Sequence, residues 1–112
     1  MLEIRDLRFR YEAGDARSGW VVDIARLDVA AGEQVLLTGA SGRGKSTVLN
    51  LIAGILDPAE GTVVVDGVDV HALRGAARDR FRGRTIGMIF QTFNLLLGFT
   101  AEENVMAALM FS

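Results

Sequence analysis

Apolar and polar positions nearly alternate at the start of the chain. Leu2, Ile4, Leu7 and Phe9 mark a first strand, because alternate side chains of a strand share one face. The step from Ile4 to Leu7 is one residue too long for strict alternation and suggests a bulge. Glu12 to Gly19 is polar and reads as a loop. Val22, Ile24, Leu27 and Val29 then repeat the pattern, again with an irregular step, as a second, antiparallel strand. After the turn Ala31-Gly32-Glu33, the run from Gln34 to Thr38 suits a buried parallel strand. Val48, Leu49, Ile52, Ala53 and Leu56 fall at helical spacing. That helix is expected to run to about Leu56 and to end at Asp57-Pro58, since the residue before proline is biased away from the helical region.

The second half is patterned differently. Val63-Val64-Val65-Asp66-Gly67-Val68 places an Asp-Gly turn between β-branched residues, a hairpin signal. Leu73 to Arg82 predicts a short amphipathic helix with Leu73, Ala77 and Phe81 on one stripe. Thr85 to Phe90 is a further strand candidate. Thr100-Ala-Glu-Glu103 is a capping box that starts a last helix, which reaches Ser112 without glycine, proline or a cationic last turn. A parallel sheet needs several strands covered on both faces. After residue 47 only Thr85 to Phe90 offers one. The chain is therefore expected to be the front part of a larger domain; the alternative is a compact two-layer domain ending in a frayed helix.

Composition narrows the classes. The chain has 112 residues, 50% hydrophobic and 23% charged, with a net charge of −2. This is globular composition for one small domain, and the charge provides no field that favours nucleic acid or anionic lipid. There are no cysteines, which excludes disulfides and thiolate metal sites. The N-terminus has no signal-peptide core, and the apolar stretches fall short of the ~20 residues that span a bilayer. A soluble chain is expected, or one held at a membrane only by a partner. The arginines at 74, 78, 80, 82 and 84 fit a solvated helix face better than a nucleic-acid surface. His71, the single histidine, is expected at the surface. Glu102 and Glu103 suit the helix start and its dipole, not acid/base chemistry.

The candidate chemistry lies at Gly39-Ala40-Ser41-Gly42-Arg43-Gly44-Lys45-Ser46-Thr47, which fits G-x-x-x-x-G-K-[ST]. A nucleoside triphosphate presents a dense cluster of anionic oxygens. Gly39, Gly42 and Gly44 let backbone N–H groups turn inward at low cost. The helix that follows adds its free amides and roughly half a positive charge. Lys45 brings an ammonium to the β- and γ-phosphates, Ser46 a hydroxyl to Mg²⁺, and Thr47 a donor to the α-phosphate.

With Ala-Gly-Glu at 31–33, Leu-Asn-Leu-Ile-Ala-Gly-Ile-Leu at 49–56, Pro-Ala-Glu-Gly-Thr at 58–62, Ile-Phe-Gln-Thr-Phe-Asn-Leu-Leu at 89–96 and Thr-Ala-Glu-Glu-Asn-Val at 100–105, the chain resembles the nucleotide-binding subunit of ABC transporters. The likeness is strongest to the lipoprotein-release and macrolide-export branch. It covers essentially all of residues 1–112, as the N-terminal part of a single nucleotide-binding domain that stops before the signature motif and the second acidic motif. The implied fold is α/β: a phosphate-loop NTPase core of strand, loop and helix with an N-terminal antiparallel β subdomain, lacking the later parallel strands and the helical signature subdomain. The resemblance places Tyr11 as the aromatic that stacks on adenine, with Phe9 and Trp20 as lesser candidates, the alternative being a packing tyrosine. It makes Gln91 the residue whose amide serves Mg²⁺ and the attacking water, and loop 91–99 the contact with a transmembrane permease. Leu97-Gly98 departs from that branch, which often has a proline there.

The resemblance implies an ATP hydrolase, with ATP and Mg²⁺, that works as a dimer of nucleotide-binding domains and couples hydrolysis to transport or extraction. It places the protein in the cytoplasm, peripheral on the inner membrane through its partner, without nucleic acid. Lys45 and Gln91 are the expected catalytic residues. The Leu-Ser-Gly-Gly-Gln signature and an apolar strand ending in Asp-Glu are missing after Gln91, so the 112 residues alone are expected to show no turnover. Two other readings stand beside this one: a different phosphate-loop enzyme such as a small kinase, and a non-hydrolysing regulatory or interaction fragment.

Overall fold

The computed structural model describes residues 1–12 and 19–110, so the loop expected at Glu12 to Gly19 falls mostly outside the described residues. The chain forms two compact units, Met1–Arg74 and Gly75–Ser112.

In the first unit, β1 (Leu2–Phe9) and β2 (Val22–Val29) pair antiparallel, Leu2 with Val29 through Phe9 with Val22. The irregular steps in both strands match. Ile4 pairs with Leu27 and Leu7 with Ile24, so the apolar positions stay on a common face. On its other edge β1 pairs with β3 (Glu60–Val65), and there the register shifts between Arg5 and Arg8. Asp6 sits at the shift with φ of 47°, the bulge that the Ile4-to-Leu7 spacing announces. Gly61 lies across from it: a Cβ at Gly61 would stand 2.4 Å from the Asp6 carbonyl oxygen, so only glycine fits. β4 (Val68–Asp69) closes a hairpin through Asp66 and Gly67, both at positive φ, as a two-residue turn of matching twist requires. The sheet order is β2-β1-β3-β4.

One helix, α1 (Lys45–Ile52), packs on β3. Leu51 of α1 is buried with Ile4, Leu7, Val63 and Val70, all at 0% exposure. Burying such a side chain contributes about 1.5–3 kcal/mol. The helix stops short of the expected Leu56. Gly54 takes φ of 69°, its N–H donates to the Leu51 carbonyl at 3.2 Å, and the Ile55 N–H donates to Asn50 at 2.9 Å. This left-handed glycine cap satisfies the last carbonyls before Asp57-Pro58 has any effect.

His71 is another correction. Its side chain is about 10% exposed; Nε2–H donates to the Leu51 carbonyl at 2.9 Å, and Nδ1 lies 3.3 Å from Asp57 Oδ1. The hairpin brings it under the end of α1, where carbonyls need donors.

The run Gln34–Thr38 does not become a buried parallel strand. It pairs with no strand among the described residues, and Leu36 is 85% exposed. A strand gains ladder bonds and cover only from neighbours, and the four strands here pair solely with one another, all antiparallel.

The second unit holds α2 (Gly75–Thr85) and α3 (Ala101–Met110), neither of which buries a residue. α2 begins two residues later and ends three later than the pattern predicts, leaving Leu73 outside it. Thr85 completes α2, and residues 86–90 form no strand, with Ile89 fully exposed. The reason is the same as at 34–38. The capping box forms as expected. The Glu103 N–H donates to Thr100 Oγ1 at 3.1 Å, and the Thr100 N–H to Glu103 Oε2 at 2.8 Å. No helix among the described residues is long and apolar enough to cross a membrane.

Candidate functional site

The loop is exposed from 39 to 43 and turns into α1 through two left-handed glycines, Gly42 at φ 78° and the half-buried Gly44 at φ 83°. At Gly44 a second constraint applies: a Cβ would stand 2.8 Å from the Val21 carbonyl oxygen, so the loop is seated against the start of β2. Gly39 differs from expectation. It stays out of the left-handed region, and a Cβ there would meet only ordinary contacts near 3.8 Å.

Beyond Gly44 the helix begins without a lid on its dipole. The first ladder bond runs from the Val48 N–H to the Gly44 carbonyl at 2.9 Å, so the amides of Lys45, Ser46 and Thr47 precede it. No side chain caps this end, and the first turn carries no acid. Three amides and the positive end of the macrodipole are thereby left for an anion. Ala40, Ser41, Arg43 and Ser46 are exposed around them.

Lys45 supplies the mobile charge. Its Nζ donates to the Ala40 carbonyl at 2.9 Å and also to the Gly39 carbonyl. The ammonium thus bridges its own loop through exposed bonds to neutral carbonyls, which an anionic oxygen can displace because it adds a charge–charge attraction to the hydrogen bond.

Thr47 is only 7% exposed, and its Oγ1 lies 3.1 Å from the Tyr11 hydroxyl. Tyr11 is 51% exposed, with the Phe9 ring set edge-on at 4.8 Å. The Tyr11 ring borders a cleft of about 690 Å³ whose other walls include Leu56, Pro58 and Ala59. Phe9 is buried, and Trp20 is engaged by the Arg10 guanidinium 5.0 Å from its ring centroid. Of the three candidate aromatics, Tyr11 combines an exposed ring with a bond to the loop helix. Farther along the sheet, Asp23 and then Glu60 hold the Arg8 guanidinium above its ordinary range by hydrogen bond and charge. The hydrogen bonds of Arg26 and Arg5 hold the Asp28 carboxyl below its ordinary range.

No group of three or more acidic, histidine or cysteine side chains suited to a metal occurs among the described residues. The donor set nevertheless fits Mg²⁺ delivered with a nucleotide, since that ion keeps waters and phosphate oxygens and takes few protein ligands. Among the hydroxyls here, that of Ser46 is exposed in the first turn of α1.

Gln91 belongs to the second unit, exposed, in a segment without strand or helix. The loop after it is ordered by polar side chains. Thr92 Oγ1 donates to Asn94 Oδ1 at 2.9 Å, and Asn94 and Gly98 take positive φ. Asn104 does more: its Oδ1 accepts from the Leu96 N–H at 2.8 Å, and its Nδ2 donates to the Thr100 carbonyl at 2.9 Å. Sequence reasoning missed this role; an amide just inside a capping box, able to reach back to the preceding loop, was the available signal. A cavity of about 780 Å³ is lined mostly by apolar side chains, Leu95, Leu97, Phe99, Val105 and Leu109 among them, with Asn104 the polar exception.

Residues 22–110 match the family described as ABC transporter. The chain is 44% identical over 111 residues to an uncharacterised ABC transporter ATP-binding protein of Mycobacterium tuberculosis, covering 96% of this chain and 32% of that protein. It is 43% identical over 115 residues to the lipoprotein-releasing system ATP-binding protein LolD of Geobacter metallireducens, covering 100% of this chain and 49% of that one. It superimposes on an ATP-binding cassette, solved as a dimer in a post-hydrolysis state with ADP and Pi, at a TM-score of 0.89 and 34% identity. That match covers 99% of this chain and 47% of the other. The chain therefore spans half or less of the length of these relatives and shares the fold of the part of the cassette that it matches.

Proposed function

Because this chain belongs to the ABC transporter family, we propose that it is the ATP-binding portion of a transport ATPase, with the triphosphate held by the loop at 39–47. The observation that carries this is the uncapped, acid-free start of α1 behind Gly42 and Gly44, with the Lys45 ammonium resting on the Ala40 carbonyl. The amides of residues 45–47 and the Lys45 ammonium bind and orient the phosphates; Ser46 holds the metal side, Thr47 the α-phosphate, and the Tyr11 ring the base. Mg²⁺, when bound with the nucleotide, neutralises charge on the phosphate oxygens. Gln91 positions water in the assembled protein. Its loop, 91–99, and the apolar cavity beside it serve a membrane permease, which would place the protein at the cytoplasmic face of a membrane. Two cassettes pair in the intact protein, as in the dimeric relative, and the LolD likeness favours extraction or export. The 112 residues alone should show no turnover and at best weak nucleotide binding.

Calorimetric titration of the full-length subunit with Mg²⁺ and ATP tests the reading. Binding is expected, and Lys45→Ala should weaken it by about 10- to 100-fold, the worth of a charge-assisted hydrogen bond. Absence of ATP uptake by the wild-type protein refutes it.

A further inference from the structure

We infer that the Tyr11 hydroxyl positions Thr47, so that two hydroxyls form a relay from the aromatic wall of the site into the phosphate loop. This rests on the ATP-binding reading above and adds a polar role for a residue whose ring alone would suffice for stacking. The Tyr11 hydroxyl lies 3.1 Å from Thr47 Oγ1, across 36 positions of sequence. Thr47 stands in the first turn of α1, two residues after Lys45, and its side chain is nearly buried. The Phe9 ring, edge-on at 88° to Tyr11, braces the phenol from the core side.

Hydroxyl chemistry sets the direction of the relay. A threonine hydroxyl has one hydrogen to donate and two lone pairs to accept with. When Tyr11 donates, Thr47 accepts and keeps its own hydrogen for a phosphate oxygen. When Thr47 donates to Tyr11, that hydrogen is spent. A phenol is the better donor of the two, and an anion beyond Thr47 reinforces this order, since each bond in an O–H···O–H···O⁻ chain polarises the next. Tyr11 thus fixes the Thr47 rotamer and aims its proton at the phosphates. It acts on them through Thr47 and is a positioning residue.

A double-mutant cycle on the full-length subunit tests this, with Mg²⁺–ATP affinity and nucleotide-free melting temperature measured for each protein. Tyr11→Phe keeps the stacking ring and should weaken ATP by about three- to tenfold, the worth of one hydrogen bond. Thr47→Val should weaken it at least as much, and adding Tyr11→Phe to Thr47→Val should cause no further loss. Thr47→Ser keeps the hydroxyl and should keep the sensitivity to Tyr11→Phe. Losses that multiply, or a Tyr11→Phe protein that binds ATP like wild type, overturn the relay. So does a melting temperature lowered by Tyr11→Phe with no change in affinity, the mark of a purely structural bond. Wild-type protein that binds no ATP defeats the nucleotide reading itself, a result separate from every outcome of the cycle.

Discussion

Both units leave apolar side chains exposed, but only the first also closes a core over others. In Met1–Arg74 the sheet and α1 close over Ile4, Leu7, Leu51, Val63 and Val70, none of which retains exposure. In Gly75–Ser112 neither helix buries a side chain, and Phe93 and Leu97 stand 91% and 96% exposed. The second unit is ordered by hydrogen bonds instead: the Thr100–Glu103 box and the Asn104 amide. Hydrogen bonds of this kind contribute about 0.5–1.5 kcal/mol each. They can set a local conformation, whereas burial is what makes a unit cooperative. The first unit has a closed core beside an uncovered apolar run at 34–38, and the second is a correctly capped segment with its apolar side chains uncovered.

Substitution of the apolar side chains themselves should show this contrast most strongly. Leu51→Ala should cost about 2–5 kcal/mol in urea unfolding, because it opens a cavity in a closed core. The same truncation at Leu97 should change stability by no more than about 0.5 kcal/mol. A large loss at Leu97 in this chain would show that its unit has a core after all. Gly44→Ala should cost about 1–3 kcal/mol, as it forces a side chain into left-handed backbone and against the Val21 carbonyl. Its effect belongs to the first unit and should appear as a lower melting temperature. Thr100→Ala should remove about 1 kcal/mol from α3. Amide exchange should quicken around residues 100–104 and stay unchanged at β1.

The smallest expected effect is electrostatic. Arg26 and Arg5 hold the Asp28 carboxyl below its ordinary range, so the folded state binds that proton less readily than the unfolded chain. The pairing therefore stabilises above the ordinary carboxylate range, about pH 3.9, and is lost as pH falls through the lower folded value. The difference in unfolding midpoint between wild type and Asp28→Asn should be present at about pH 7 and vanish in stronger acid. Asp28 is well exposed, which keeps the difference small.

Features governed by near neighbours were legible in advance. The Asp66-Gly67 turn, the capping box at Thr100, the bulge at Asp6 and the left-handed glycines at 42 and 44 each follow from residues a few positions apart. The end of α1 shows a local contest judged wrongly: Asp57-Pro58 is a stop signal, but Gly54 lies earlier in the chain and caps first. The apolar runs at 34–38 and 86–90 show a different kind of miss. β-propensity is largely the benefit of lying beside other strands, and here neither run has such a neighbour among the described residues.

The amino-acid order by itself determined the left-handed glycines of the loop at 39–44, the turns and the capping box, since these depend on backbone conformation and on hydrogen bonds spanning a handful of residues. Only the tertiary structure decided that Tyr11 meets Thr47, that His71 serves the Leu51 carbonyl, and that two strand-like runs lie unpaired. Those outcomes turn on which distant segments come together. Closing the intervening loops costs entropy that only packing at the far end can offset.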